Sequence, residues 1–559
     1  MDGFSQIPEI PAAARTPLVD ALLGIIAAQK DRITAQQNQI ARQQAQISQL
    51  TEQVQQLRDE IARLKGHKPK PNIPPSALEK NPERKKWVKD SGEPRPGSKK
   101  RAKTAGLKIS ETIYINPTEL PPGSWFKDYA EWTVQDLIIE TRNTLYRLAR
   151  HVTPTGECLC GELPPEVSGH FGATLRGFIL LLHHQGRATQ PAILEMLRDF
   201  GVDISAGALN GILTEGKEAF HAEKAEILRV GLEVSGHVNV DDTGARHKGK
   251  NGVCTLIGNE WFAWFESTES KSRINFLKLL GAGRSCFAIN AAALTYMQEQ
   301  RLPLAHLAGL AALTDLKLES EETWNAVLAG LGLTGARHVR IATEGALIGG
   351  LLGNGFNPDL AIISDDAGQF NVFLHGLCWI HGERTIHKLL GFNDRQRAVL
   401  EEARDAIWEF YRELKAYKLS PTAGEKARLE ARFDEIFTRR YDCFATLTLG
   451  LRRLHKNRAE LLLVLERPDV PLHNNTGESA IREYVTIRKI SGSTRSDAGR
   501  MARDTFTSLK KTCRKLGVSL WSYLKDRLSG KNEIPRLGEL IRRRAQLECN
   551  SRRLCPDGV

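Results

Sequence analysis

Near the N-terminus, apolar residues recur every seven positions. Ile or Val fills the first set of positions, and Leu stands three residues after the last three of them. β-Branched residues at a with Leu at d favour two parallel strands, so residues 17–65 are predicted to form a self-associating coiled coil. Gln at the earlier d positions weakens half of the seam, and a long helix folded back on its own chain is the alternative. The a positions are Ile26, Ile33, Ile40, Ile47, Val54 and Ile61, and the d positions are Gln29, Gln36, Gln43, Leu50, Leu57 and Leu64.

This repeat stops at residue 66, where a basic, proline-rich stretch begins. Residues 66–107 contain seven prolines, which oppose helix formation, and twelve Lys or Arg against four acids. Their net charge of +8 is two thirds of the +12 that the whole chain carries. A flexible basic linker neutralises phosphates without reading sequence, so we expect nucleic-acid contact here. A solvated spacer is the alternative.

Alternating apolar residues over 131–152 predict a short β-hairpin, inside a small region that spans residues 108–170. A Cys-x-Cys sequence follows it, and two histidines lie nearby. These residue types bind zinc, but structural zinc sites usually combine two separated ligand pairs, so zinc is only a secondary expectation. The candidate ligands are Cys158, Cys160, His151 and His170.

Two short amphipathic helices are predicted within residues 171–232. A turn that contains Gly201 separates them, and Ser205 is placed to cap the second helix. Helix, short turn and helix make up the helix-turn-helix motif, whose second helix enters the DNA major groove. Helical hairpins that do not touch DNA have the same pattern. The apolar positions are Ile193, Met196, Leu197 and Phe200 in the first helix and Leu209, Ile212 and Leu213 in the second.

Downstream, two apolar runs are each followed by a pair of aspartates. The runs, 237–240 and 360–363, are predicted strands, and further strands are predicted at 252–258 and 261–266. Acids at strand ends meet at one edge of an α/β sheet. Adjacent strand residues point to opposite faces, so only one acid of each pair can face a shared site. The pairs are Asp241 with Asp242 and Asp365 with Asp366.

A third acid, Glu478, opens a predicted helix after the sequence PLHNNTG. Ile481 and Val485 share its face, so its carboxylate points inward and needs a partner. Three converging acids suit two Mg²⁺ ions, which assist displacement at a phosphodiester. The alternatives are that the aspartates are turn residues and that Asn475 and Glu478 form a capping box.

Four stretches around these acids resemble a known family. They are VNVDDTGARHKGKNG, IISDDAGQF, GLCWIHGERTIHKL and PLHNNTGESAIREYVTIRKISGSTRSDAGRMARDTF. Over about residues 130–530 the chain is similar to DDE transposases of the insertion sequence 66 type. The predicted coiled coil and helix-turn-helix upstream also suit that family.

The resemblance implies an α/β fold with a ribonuclease-H-like catalytic core. It makes Asp241, Asp365 and Glu478 the catalytic and metal-binding triad, with two Mg²⁺ ions as cofactor; the first acid of each pair matches the family motif. The implied function is a DNA transposase that binds the terminal inverted repeats of its element, hydrolyses a 3′ end and joins it to target DNA. The implied partners are DNA, a second copy of the chain and small accessory proteins. A non-catalytic DNA-binding regulator with a degenerate core is the alternative.

Basic residues on and after the Glu478 helix are candidate DNA contacts. His381 belongs to a Cys-x-x-His sequence that resembles one in several DDE families; it contacts DNA or the catalytic centre, or else is a core histidine. The basic candidates are Arg482, Arg488, Lys489, Arg495 and Arg500.

The core is predicted to be interrupted twice by helical insertions. Asp241 and Asp365 lie 124 positions apart (365 − 241), more than this family leads us to expect. The predicted segments are core 233–286, 356–382 and 471–528, insertions 287–355 and 383–470, and a C-terminal tail, 529–559.

Composition argues against two classes of protein. Hydrophobic residues make up 41% and charged residues 26% of the 559, as in soluble globular proteins. The longest apolar runs fall far short of the ~20 residues that span a membrane, and no secretory signal is visible. Nine scattered cysteines indicate reduced thiols. We therefore expect a cytoplasmic, nucleoid-associated bacterial protein rather than a secreted or membrane-spanning one.

Overall fold

The computed structural model describes residues 16–21, 23–29, 31–36, 39, 43, 107–164, 167, 169–284 and 286–554. The chain divides into two compact units, Met1–Gln135 and Asp136–Val559. In the first unit, residues 17–21, 23–29 and 31–36 are helical, which agrees with the helical periodicity of the heptads. Most of the predicted coiled coil and residues 66–106 of the predicted linker lie outside the described residues.

Strands and helices of the second unit are numbered along the chain. The strands are β1 (Arg150–Val152), β2 (Cys158–Cys160), β3 (His237–Gly244), β4 (Val253–Gly258), β5 (Ala263–Thr268), β6 (Phe287–Ala288), β7 (Lys317–Leu318), β8 (Ala361–Ser364) and β9 (Leu374–Leu377). The helices are α1 (Ala173–His184), α2 (Gln190–Asp199), α3 (Ala206–Thr214), α4 (Glu218–Val234), α5 (Arg273–Leu280), α6 (Ala291–Glu299), α7 (Leu304–Ala311), α8 (Glu321–Gly330), α9 (Ala336–Gly353), α10 (Trp379–His387), α11 (Asp394–Tyr417), α12 (Ala423–Thr438), α13 (Ala445–Lys456), α14 (Arg458–Leu461), α15 (Leu463–Glu466), α16 (Asn475–Ser491), α17 (Asp497–Leu516), α18 (Leu520–Leu528) and α19 (Leu537–Leu554).

A five-stranded mixed sheet lies at the centre of this unit, in the order β5-β4-β3-β8-β9. β4 is antiparallel to both of its neighbours, β3 and β5, whereas β8 and β9 run parallel to β3. Val238, Val240 and Ile362 are fully buried, because helices cover both faces of the sheet. The predicted α/β class is confirmed.

Helix α17 covers the β5 edge of the sheet with hydrogen bonds from its side chains. Ser508 Oγ accepts the N–H of Phe265 at 2.9 Å, and Asp504 Oδ2 accepts the N–H of Ser267 at 2.8 Å. These side chains satisfy backbone donors that an exposed edge strand would leave open to other chains.

The residues predicted as insertions are largely helical. Residues 287–355 contain α6 to α9 and also a short ladder between β6 and β7, which the sequence analysis missed. Residues 383–470 contain α11 to α15. Trp379, at the start of α10, packs against Phe410, Phe433 and Phe437, so α11 and α12 pack against the start of α10.

The hairpin prediction over 131–152 is wrong in position. Residues 107–149 have no regular secondary structure, and the observed hairpin pairs β1 with β2. The turn between them closes through a hydrogen bond from Thr153 N–H to the Glu157 carbonyl at 2.8 Å. Apolar alternation upstream did not suffice, because a strand also needs a partner and a turn that brings the partner back.

The prediction of a C-terminal tail is also wrong, because residues 537–554 form α19. Leu537 and Ile541 are fully buried, and the N–H of Leu537 donates to Glu223 Oε1 of α4 at 2.9 Å. The many Lys and Arg of this segment obscured a short apolar face. None of the described helices, α19 included, combines the length and apolarity needed to cross a membrane.

Helices α2 and α3 form the predicted helical hairpin. Ile193, Leu197, Leu209 and Leu213 are buried between them and their neighbours. Ser205 caps α3 as expected: its Oγ accepts the N–H of Ala208 at 3.1 Å. The two helices and the turn between them are therefore present, and α3 carries no Lys or Arg.

Candidate active site

Two of the predicted acids lie at neighbouring parallel strands, Asp241 on β3 and Asp365 directly after the end of β8. His237 of β3 is aligned with Ala361 of β8, and Asn239 with Ile363. The same register, continued by two residues, places Asp241 level with Asp365. The two acids are therefore brought to the same end of the sheet although 124 positions separate them, and the charge of Asp365 acts on Asp241.

Within the first pair, the two aspartates have different surroundings. Asp242 accepts hydrogen bonds from Lys271 Nζ at 3.0 Å and Gln369 Nε2 at 2.7 Å, so its charge is already balanced. Asp241 accepts only the N–H of Asp242, at 2.7 Å, among the described residues. Burial, together with the negative charges of Asp365, Asp242 and Glu478, raises the pKa of Asp241 to about 7. A cation beside Asp241 would relieve this repulsion.

The two aspartates of the second pair, Asp365 and Asp366, also have different surroundings. Asp366 forms an ion pair with Arg453 and is half-exposed. Asp365 is partly buried, and its charge acts on both Asp241 and His381. In each pair, therefore, the second acid is bound to a basic side chain and the first faces the other acids.

Glu478 lies in the first turn of α16, which packs against β3. Its Oε1 is buried and has no hydrogen-bond partner among the described residues. His381 Nδ1 is 3.7 Å from Oε1, and Arg482 Nη2 is 3.6 Å from Oε2. The capping box with Asn475 does not form, because Asn474 is the N-cap and its side chain makes no capping hydrogen bond.

The side chain of Asn474 instead connects the acid-bearing elements. It is buried, and its Nδ2 donates to the Val240 carbonyl of β3 at 2.8 Å. Its Oδ1 accepts from Asn239 Nδ2 at 2.9 Å, and its backbone N–H donates to Cys378 Sγ at 3.2 Å. One asparagine thus fixes the start of the Glu478 helix against the strand of Asp241 and the residue before α10. The sequence analysis quoted this residue without giving it a role.

Cys378, His381 and Glu478 form a compact group beside the acids. Among the described residues, no other set of three Cys, His, Asp or Glu side chains brings its ligand atoms within 4.8 Å of one another. Burial raises the pKa of the Cys378 thiol to about 11 and lowers the pKa of His381. The carboxylate oxygens of Asp241, Asp365 and Glu478 do not all lie within 4.8 Å of one another.

The zinc ligands predicted around the hairpin do not come together in the described part of the chain. Cys158 and Cys160 lie exposed on β2, and neither joins His151 or His170 in a group of three close ligand atoms.

Comparison with known proteins places these motifs in a family. The family model "Transposase IS66 family" matches residues 365–502, a range that includes Asp365 and Glu478 but not Asp241. A protein of Sinorhizobium fredii (strain NBRC 101917 / NGR234), named "Uncharacterized protein y4jO", is 42% identical over 304 residues, which cover 54% of this chain and 94% of that protein.

The chain belongs to the IS66 family of transposases.

The basic residues predicted in this IS66-family chain divide into two groups. Arg488 donates to Thr243 Oγ1 at 3.2 Å and to the Gly244 carbonyl, and Arg500 donates to the Ser267 carbonyl at 3.2 Å, so both fasten α16 or α17 to the sheet. The others, Arg482, Lys489 and Arg495, are exposed.

The loop after β3 also contacts the loop between α16 and α17 and the first residue of α17. His247 Nδ1 lies 2.8 Å from Thr494 Oγ1, and Lys248 Nζ lies 2.5 Å from Asp497 Oδ2. These contacts hold the exposed Arg495 near the strand that carries Asp241.

Three basic residues near the acids were missed by the sequence analysis. Arg384, Lys388 and Arg453 line a cavity of about 400 Å³ together with Asp365 and His381. The signal for the first two was available, because Arg384 and Lys388 follow His381 at three and seven residues, which places them on one helical face.

Proposed function

We propose that this IS66-family chain is a DNA transposase that acts through Asp241, Asp365 and Glu478. It binds the terminal inverted repeats of its element, hydrolyses the 3′ end and transfers that end to target DNA. The observation that carries the proposal is that these three acids, remote in sequence, are electrostatically coupled at one end of the sheet.

The arrangement of the acids supports a ribonuclease-H-like core. In such a core the first acid lies on a central strand and the last on a helix. Asp241 lies on β3, the central strand of the sheet, and Glu478 lies on α16. Asp365 directly follows β8, which is parallel to β3.

The three acids fit Mg²⁺. Mg²⁺ prefers carboxylate and water oxygens, and Glu478 Oε1 is a buried oxygen without a hydrogen-bond partner in the described part of the chain. Mg²⁺ bound by Asp241, Asp365 and Glu478 would lower the pKa of an attacking water or hydroxyl and stabilise the leaving oxygen.

Neighbouring side chains bind the second acid of each pair and so leave the first acid facing the shared site. Lys271 and Gln369 hold Asp242 away from the shared site. Arg453 does the same for Asp366. Arg482, one turn from Glu478, is exposed and available to a DNA phosphate.

DNA is the proposed partner of the basic segments. Residues 66–107, with a net charge of +8, are proposed to contact phosphates. Helix α3 presents Asn210 rather than a cation, so its proposed contact is with base edges. A second copy of the chain, joined through the heptads of residues 17–65, is proposed to bring two element ends together.

Replacement of Glu478 by Gln tests the catalytic assignment. We expect Mg²⁺-dependent cleavage and joining of a labelled terminal-repeat duplex to fall at least about 10³-fold, because the amide binds the cation poorly, while duplex binding persists. Gel electrophoresis of the products and a mobility-shift assay give the two readouts.

The matched control is Glu435→Gln, which removes the same charge from an exposed position on α12. It should keep full activity. Undiminished cleavage by the Glu478→Gln variant would refute the triad.

A further inference from the structure

The cavity beside Asp365 is distinct from the space between the three acids. Its wall includes Asp365 and His381, but neither Asp241 nor Glu478. The cavity therefore opens on the side of Asp365 that faces α10 and α13. Its lining contains no Phe, Tyr or Trp on which a base could stack.

Three basic side chains face this cavity. Arg384 and Lys388 form no ion pair with any carboxylate in the described part of the chain, whereas Arg453 is paired with Asp366. Two uncompensated cations next to a cavity are the electrostatic setting for an anion. An arginine also offers a planar fork of donors that matches phosphate oxygens.

Helix α10, which carries Arg384 and ends just before Lys388, is packed into the fold. Trp379 Nε1, at the start of α10, donates to the Leu461 carbonyl at 2.9 Å, and Ile386 is fully buried. Glu383 is buried and bonded to Arg404 at 2.8 Å, so it is turned away from the cavity and does not neutralise it. Arg384 and Lys388 are one turn apart and share the face of α10 that lines the cavity.

We propose that this cavity binds a backbone phosphate of DNA, one that flanks the reacting phosphate. The inference rests on the proposed transposase function, since it assigns the neighbouring subsite on the side of Asp365. Arg384 and Lys388 contact the phosphate, and Arg453 is held beside it by Asp366. The phosphate comes either from the element end or from the target DNA.

The experiment uses the full-length protein with Arg384→Ala and Lys388→Ala combined. Binding is measured without divalent cations, so its readout does not depend on catalysis. The probes are a fluorescent terminal-repeat duplex and, for the protein already holding that duplex, a second labelled duplex of unrelated sequence. The matched control combines Arg395→Ala and Lys415→Ala, two exposed cations of α11 without ion-pair partners in the described part of the chain.

Loss of one phosphate contact should lower the slope of log affinity against log salt by about 1 and weaken binding about tenfold. If this happens with the terminal-repeat duplex, the cavity holds the element end. If it happens only with the second duplex, the cavity holds target DNA. Either result supports the proposal.

Unchanged binding of both probes would overturn the proposal, and so would an equal loss in the control variant. Failure of the catalytic assignment would be seen separately, as a lack of Mg²⁺-dependent cleavage by the wild-type protein. The salt dependence of its binding would remain measurable in that case.

Discussion

The candidate active site and the helix pair α2–α3 are assembled in opposite ways. The helix pair lies within 25 consecutive residues (190 to 214), and its second helix carries no Lys or Arg. The acids are 124 and 113 positions apart (365 − 241 and 478 − 365), and they crowd negative charge onto one sheet end. The helix pair has a local geometry without concentrated charge, whereas the acid site has concentrated charge that only the tertiary fold creates.

The two regions differ in whether their polar groups have hydrogen-bond partners within the protein. In the helix pair, Gln190 Nε2 donates to Asn210 Oδ1 at 3.1 Å, and apolar residues fill the contact between the helices. At the acid site, Glu478 Oε1 is buried without a hydrogen-bond partner in the described part of the chain. A fold bears such a cost where a ligand compensates it. We therefore expect substitutions of equal size to have much larger effects at the acid site.

The largest effect is expected from Asn474→Ala. The substitution removes the amide that bonds to Val240 and Asn239, and it leaves their buried polar groups without partners. The free energy of unfolding should fall by about 2–4 kcal/mol, and Mg²⁺-dependent cleavage should fall with it. Urea denaturation followed by fluorescence measures the first effect.

The same change in the helix pair, Asn210→Ala, provides the comparison. Asn210 is exposed and α3 gains helix propensity from alanine, so stability should change by no more than about 0.5 kcal/mol. Equal losses in the two variants would contradict the distinction between the regions.

The sequence was informative wherever a pattern is local. The strand that carries Asp241, the strand that ends just before Asp365, the α2–α3 pair and the Ser205 cap were predicted from periodicity and capping chemistry, and the structure has them. The sequence left open which acid of each pair faces the others, because both have the same local pattern. That choice depends on Lys271 and Arg453, which approach from distant parts of the chain.

Tertiary contacts also explain what was missed. The role of Asn474 depends on carbonyl and amide groups more than 230 positions away. Helix α19 is stabilised by burial of Leu537 against α4. The basic sequence of this helix does not predict that contact.

A smaller, pH-dependent effect is expected at Asp241. Its pKa is raised to about 7 in the folded protein from an ordinary value near 3.8, so the metal-free protein loses stability as pH rises between these values. A cation needs the ionised carboxylate. Below pH 7, Mg²⁺ affinity should therefore fall about tenfold per pH unit, and above it the affinity should level off.

The measurement is the increase in melting temperature that Mg²⁺ produces, recorded on both sides of pH 7. Asp241→Asn should give a smaller increase that no longer changes through this range. Asp199→Asn, an exposed substitution in α2, should behave as the wild type does. A wild-type response that is flat across pH would show that no proton is released on binding.

A purely local effect is expected from Ser205→Ala in the helix pair. The side chain of Ser205 accepts one N–H of the first turn of α3, and loss of an N-cap costs about 1 kcal/mol. The amide of Ala208 should then exchange its hydrogen about fivefold faster, because its protection depends on local opening of that turn. Ser205→Thr should restore most of the protection, since threonine also caps. Mg²⁺-dependent cleavage should be unchanged, because a local cap does not position the acids. A loss of cleavage comparable with that of Asn474→Ala would mean that the helix pair and the acid site are one cooperative unit.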